Sequence, residues 1–164
     1  AEHIKSLRQY GWNNERESIK PGFNSRLDEI QASILRVKLK HLSTDNRKRR
    51  AIADQYDDAF KDLPIILPQR SINELHAMHL YVIECENRDS LLKYLRNRGI
   101  GASLHYAMPV HLQTGYFKRI RGSTDLHNTE SFYKKNLTLP LFPEIGQEAI
   151  DEIILGVKRW FEEK

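Results

Sequence analysis

Asn24, Ser25 and Arg26 stand together where a glycine turn, Pro21-Gly22-Phe23, runs into a helical pattern. They offer an amide, a hydroxyl and a permanently charged guanidinium within three residues. Helix starts gather free N–H groups and the positive end of the helix dipole, so donors placed there suit a phosphate or a carboxylate. Ser25 followed three residues later by Asp28 also has the form of a capping box, with the hydroxyl accepting from a first-turn N–H. The residues alone leave both readings open, an anion site or an ordinary capped helix. The second candidate is the loop from His105 to Gly115, which carries His105, Tyr106 and His111 around Pro109. His105 reads either as a ligand-facing ring or as a structural histidine bonded to backbone.

Other chemistries are missing from the pattern. The chain has no Gly-x-Ser-x-Gly elbow, no Gly-x-Gly-x-x-Gly turn and no Gly-x-x-x-x-Gly-Lys loop. His76 and His79 are three apart near a strand start, a spacing that sends side chains to opposite faces. His105 and His111 have no cysteine or carboxylate at ligand spacing, so no metal centre is expected. The single cysteine, Cys85, lies in the apolar run from His79 and is expected to be buried and inert. With no internal disulfide available, a reducing cytoplasmic setting is the default. The net charge of +4 is mild. Arg47-Lys48-Arg49-Arg50 would point all round a helix rather than along one face, and no aromatics interleave it. It reads as a solvated helix surface, and nucleic acid is not an expected partner. No apolar run approaches the ~20 residues that span a bilayer, so no membrane is expected either.

Periodicity supplies the elements that must carry these residues. Hydrophobic residues are 40% of the 164 and charged residues 29%, the balance of a soluble folded domain. Ile4 and Leu7 fit a short helix stopping at Gly11, followed by a polar loop from Trp12 to Lys20. A helix launched by Ser25 should bury Leu27, Ile30, Ile34, Val37 and Leu42, widened by Leu35 and Leu39, and kink at Ser43-Thr44-Asp45. A second helix with Ile52, Tyr56, Phe60 and Leu63 on one side ends at Pro64. Strands are expected over Ile65–Leu67, His79–Cys85, Ile100–Leu104 and Leu137–Leu139. Helices are expected after Asn87, as a short turn over Tyr116–Arg121, over Leu126–Asn136, and from Gly146. In the last, Ile145 and Ile150 form a hydrophobic staple ahead of a stripe of Ile153, Ile154, Val157 and Phe161. The fold class is α/β: a helical arm of 1–63, then a small α+β domain over 64–164 whose sheet is covered by helices.

Gly22-Phe23-Asn24-Ser25-Arg26-Leu27-Asp28-Glu29-Ile30-Gln31-Ala32 resembles the Gly-x-Asn-x-Arg-[Met/Leu]-x-x-Ile-Gln-Ala signature of the DegT/DnrJ/StrS family of sugar aminotransferases. Three further stretches match in order: Leu7-Arg8-Gln9-Tyr10-Gly11; the Gly99-Ile100 to His105-Tyr106 segment with Pro109, His111 and Gln113; and Leu137-Thr138-Leu139-Pro140-Leu141-Phe142-Pro143-Glu144. The resemblance covers essentially the whole chain. Gln9-Tyr10 stands where the family has a polar residue and histidine, and Ser33 and Leu35 replace small residues.

The resemblance implies an aspartate aminotransferase-like, fold-type I enzyme that uses pyridoxal phosphate to move an amino group from a glutamate-like donor to a nucleotide-linked keto-sugar. It implies that Asn24 reaches across a homodimer to the cofactor phosphate of the neighbouring subunit, that Arg26 either supports this cofactor-binding site or braces the loop, and that His105 and Tyr106 face substrate. The family's cofactor lysine lies in a Ser-x-x-Lys motif followed by Gly-Glu-Gly-Gly, and no lysine here has that context. No catalytic residue is therefore assigned within 1–164. The chain opens on Ala1, and the expectation is a C-terminal portion: the end of a large domain with long interdomain helices (1–63) and a small domain (64–164).

Overall fold

A computed structural model of the chain describes residues 1–71, 73–122 and 125–163. Contacts divide it into two units, Ala1–Ser43 and the remainder from Thr44 onward.

The first unit holds α1 (Glu2–Leu7) and α2 (Glu29–Leu39), with irregular chain between them. The end of α1 is wrapped by the segment before α2. Tyr10 donates its amide to the Phe23 carbonyl at 2.9 Å, Phe23 to Leu7 at 2.7 Å and Ser25 to Arg8 at 3.0 Å. Gln9 and Asn24 form an antiparallel bridge. Two glycines make this approach possible. Gly11 has φ +75°, and a Cβ there would lie 1.8 Å from the Lys20 carbonyl oxygen. A Cβ on Gly22 would lie 2.1 Å from the Gly11 nitrogen, where no side chain fits.

This pairing moves the helix start. Ser25 does not cap: its amide is held by Arg8, residues 22–25 stay extended, and α2 begins after Asp28, whose carbonyl takes the Ala32 amide at 2.8 Å. Asp28 makes no side-chain cap bond, so the expected Ser25–Asp28 capping box is absent. The expected break at Ser43–Asp45 falls earlier, at Lys40–His41, between α2 and α3 (Leu42–Phe60). The apolar stripe of α2 is present, but none of the helix is buried: Ile30 is 75% exposed and Val37 59%.

The second unit has a core that the periodicity described well. Ile52, Tyr56 and Phe60 of α3 are buried with Tyr81 and Ile83 of β1 (Tyr81–Glu84), Leu91 and Leu95 of α4 (Arg88–Asn97), and Leu137 and Leu139 of β2 (Asn136–Leu139). α5 (His127–Lys135) precedes β2, and α6 (Gln147–Glu162) buries Ile150, Ile153, Val157 and Trp160. Gly146 is the N-cap of α6, and Ile145 just before it is partly buried against the core that includes Ile150. β1 and β2 pair antiparallel, Tyr81 opposite Leu139 and Glu84 opposite Asn136.

The other two expected strands shrink to single bridges, Ile66 to Glu84 on one side and Ser103 to Thr138 on the other. Pro64 and Pro68 bracket the first and cannot donate to a ladder. In the second, Ala102 turns its amide back to the Ile100 carbonyl at 2.8 Å, which leaves only Ser103 to pair. Tyr116–Arg121 lies in a run of turns, in line with the short turn expected there. Cys85 is buried, as expected.

Polar locks join these layers. The Tyr56 hydroxyl donates to the Pro140 carbonyl at 2.8 Å, and the Tyr81 hydroxyl donates to Asp57 at 2.7 Å. Arg70 bonds both Asp57 and Asp54. Burial raises both tyrosines above their ordinary range, and for Tyr81 the Asp57 carboxylate adds to the rise. Half of the basic run is also pinned: Arg49 donates to the Leu141 carbonyl and Arg50 to that of His76, while Arg47 and Lys48 remain exposed.

Candidate functional site

Asn24 and Arg26 lie on the segment that the end of α1 holds in place, with α2 starting three residues beyond Arg26. Both side chains are exposed and touch each other. Arg26 donates Nε–H to Asn24 Oδ1 at 3.1 Å. A guanidinium has donors only, so this contact settles the amide's orientation: the oxygen faces Arg26 and the Nδ2 donors face away. Among the described residues Arg26 has no ion pair and Asn24 Nδ2 no acceptor. The pair thus presents amide N–H groups and guanidinium Nη donors, with its one acceptor already engaged. This donor set fits an anion with several oxygens, such as a phosphate ester. The helix start contributes less than the sequence suggested, because it lies at Asp28 and the Asp28 carboxylate stands at its end.

His105 and Tyr106 belong to the second unit. Ser103 bridges to Thr138, which sets the chain beside β2, and the loop then leaves the sheet. His105 is half-buried, with Nδ1 3.0 Å from Thr138 Oγ1 and 3.4 Å from Ser103 Oγ. Its partners are therefore side-chain hydroxyls, not the backbone group a structural reading supposes. Among the described residues Nε2 has no partner. Tyr106 is 65% exposed, and its ring stands edge-on to the imidazole with centroids 5.4 Å apart. The peptide bond between these two residues is cis.

His111 goes elsewhere. It is buried in a short 3-10 turn, Val110–Leu112, and its Nε2 lies 3.1 Å from Glu130 Oε1 on α5. His76 accepts the Met78 amide at 2.9 Å. No group of three metal-ligating side chains occurs among the described residues. No helix there is long and apolar enough to cross a membrane. A broad, shallow depression of about 600 Å³, lined by Tyr10, Ser18, Ile19, Lys20, Pro21 and Gly22, includes none of the four candidate residues.

Sequence reasoning missed the residues that hold the loop. Thr138 interrupts the Leu137–Leu139 alternation and turns a hydroxyl to His105. Asn136 is wholly buried and donates to the Tyr106 carbonyl at 3.3 Å. The polar residue inside an otherwise apolar strand was the available signal.

Comparison with known proteins bears on the chain as a whole. The chain is 39% identical over 159 residues to the "Erythromycin biosynthesis sensory transduction protein EryC1" of Saccharopolyspora erythraea, covering 96% of this chain and 43% of that one. It is 34% identical over 160 residues to the "dTDP-3-amino-3,6-dideoxy-alpha-D-galactopyranose transaminase" of Aneurinibacillus thermoaerophilus, covering 98% and 44%. Among solved structures it superposes on S. venezuelae DesV, crystallised with a ketimine intermediate, with a TM-score of 0.91 at 36% identity over 98% of this chain and 44% of that one. The chain therefore spans less than half the length of these relatives. Its small sheet flanked by helices matches the small domain of fold-type I transferases. The sequence model of the DegT/DnrJ/EryC1/StrS aminotransferase family matches residues 1–158, carrying both the Asn24–Arg26 pair and the His105 loop, and the chain belongs to that family.

Proposed function

We propose that this chain is the C-terminal portion of a pyridoxal-phosphate-dependent aminotransferase acting on a nucleotide-linked keto-sugar with a glutamate-like amino donor. The observation that carries the reading is the Asn24–Arg26 pair, in which Asn24 Nδ2 and the Arg26 Nη groups have no acceptor among the described residues. Pyridoxal phosphate, when bound, supplies an electron sink for the amino-transfer chemistry. The residues of this chain bind and orient. Asn24 Nδ2 and the Arg26 guanidinium bind the cofactor phosphate, and in a homodimer they do so for the neighbouring subunit. His105, steadied at Nδ1, leaves Nε2 to orient a sugar hydroxyl or carbonyl, and the exposed Tyr106 ring covers it. The anchoring lysine lies outside residues 1–164, so the chain is catalytically incomplete alone. In this reading 1–63 is the end of the large domain with the interdomain helices and 64–164 the small domain, and the enzyme works in the cytoplasm.

The test is a pair of measurements. Borohydride reduction with pyridoxal phosphate should label no lysine of residues 1–164 at a defined site, whereas the chain joined to an N-terminal lysine domain should transaminate nucleotide-linked keto-sugars. A specific label within the chain, or an inactive joined protein with intact folding, refutes the reading.

A second reading has specific support. Two relatives carry regulatory names, the sensory transduction protein above and a "Pleiotropic regulatory protein" of Geobacillus stearothermophilus, 32% identical over 165 residues. As a non-catalytic interaction module the chain would be monodisperse in solution and indifferent to pyridoxal phosphate.

A further inference from the structure

The loop bearing His105 and Tyr106 is fastened at three points by one short stretch of chain, residues 130–138. Glu130 holds His111, Thr138 holds His105, and Asn136 holds the Tyr106 carbonyl. Asn136 is the least expected of the three. It is fully buried, and its Nδ2 bonds two carbonyls, Tyr106 at 3.3 Å and Phe132 at 3.3 Å. Its Oδ1 is buried with no hydrogen-bond partner among the described residues. Reversing the amide would set its oxygen against both carbonyl oxygens, so it cannot be turned to rescue Oδ1. The backbone around it is equally fixed. Asn136 pairs with Glu84 across the sheet, and its carbonyl takes Nη1–H of the buried Arg88 at 3.1 Å.

An apolar residue at the start of a buried strand would avoid the stranded oxygen, and a buried acceptor without a donor is unfavourable. One bond, to Phe132, adds a second donor to a carbonyl in the last turn of α5 that already takes the Asn136 amide N–H, a local role. The other reaches 30 residues back in the chain and serves no element of secondary structure. Its effect is to fix the peptide that follows Tyr106. Thr138, two residues on along the same strand and therefore on the same face, fixes the His105 ring itself.

We propose that Asn136 is a positioning residue: it sets where the His105–Tyr106 step stands relative to β2 and so shapes the substrate-facing loop. The proposal rests on the reading of His105 and Tyr106 as substrate contacts. Asn136→Leu removes both donors and the stranded oxygen together. Asn136→Ala, read in the same way, covers the case in which leucine does not fit.

Backbone order parameters from NMR relaxation should fall at Tyr106, Ala107 and Met108 from a rigid value of about 0.85 to below about 0.6, while those of α4 and α6 stay constant. In the joined enzyme, the KM for the nucleotide-linked sugar should rise about tenfold with kcat changed much less, the pattern of lost binding rather than lost chemistry. Unchanged order at 106–108, or an equal fall in α4 and α6, overturns the proposal. A loosened loop with an unchanged KM instead leaves the tether standing and removes His105 and Tyr106 from the substrate site.

Discussion

Arg26 decides what Asn24 can offer. Because the guanidinium has only donors, it takes the amide oxygen and leaves the amide hydrogens outward. Asn24→Asp keeps the size and the Arg26 contact but replaces those donors with negative oxygen. Affinity of the joined enzyme for pyridoxal phosphate should fall by about 2 kcal/mol, roughly thirtyfold, the scale of one hydrogen bond to a charged group. Thermal stability should hardly move, since exposed ion pairs contribute little. Titration of the cofactor by absorbance checks the first and a melting curve the second. This pair was legible in the sequence because donors and charge sit within three residues. Ser25 was misread, since its amide is claimed by Arg8 from a different part of the chain. The partners of His105 were hidden for the same reason: Thr138 lies 33 residues away.

At the scale of elements, Tyr56 on α3 and Tyr81 on β1 tie the helix layer to the sheet. They pack edge to face with centroids 5.0 Å apart. Both hydroxyls titrate higher in the folded chain than in the unfolded one. A raised pKa means the folded state prefers the neutral phenol, so this contribution is complete below the unfolded value near 10 and is lost as pH climbs beyond it. Stability should therefore drop above pH ~10, by up to about 1.4 kcal/mol per pH unit for each tyrosine. Denaturant melts between pH 8 and 11 would show it, and Tyr56→Phe should flatten the slope while lowering stability at pH 8 by about 1–3 kcal/mol, because the Pro140 carbonyl loses its donor. The helices of this unit were readable from periodicity because their apolar faces pack into one shared core; α6, with Gly146 as its N-cap and Ile150, Ile153 and Val157 buried, is the clearest case. The strands at 65–67 and 100–104 were over-read, since apolar runs do not reveal how many amides a neighbouring proline or turn removes.

At the largest scale, the first unit taken by itself leaves the stripe of α2 uncovered. Periodicity identified the face that wants cover but had no means of naming what covers it. Contiguous apolar surface of this kind drives association. The chain should sediment as a dimer or larger species at tens of micromolar, and the double change Ile30→Glu with Ile34→Glu should return it to a monomer of unchanged helix content by circular dichroism. A monodisperse wild-type chain would favour the regulatory reading instead. The crossing of Gly11 and Gly22 has its own reach. At 2.1 Å from its neighbour's nitrogen, any added carbon on Gly22 must part the two backbones, and Asn24 travels with the nearer one. A saturation screen for cofactor retention would thus score position 22 as harshly as the asparagine, although nothing at 22 meets the ligand: the hinge pin registers as part of the latch.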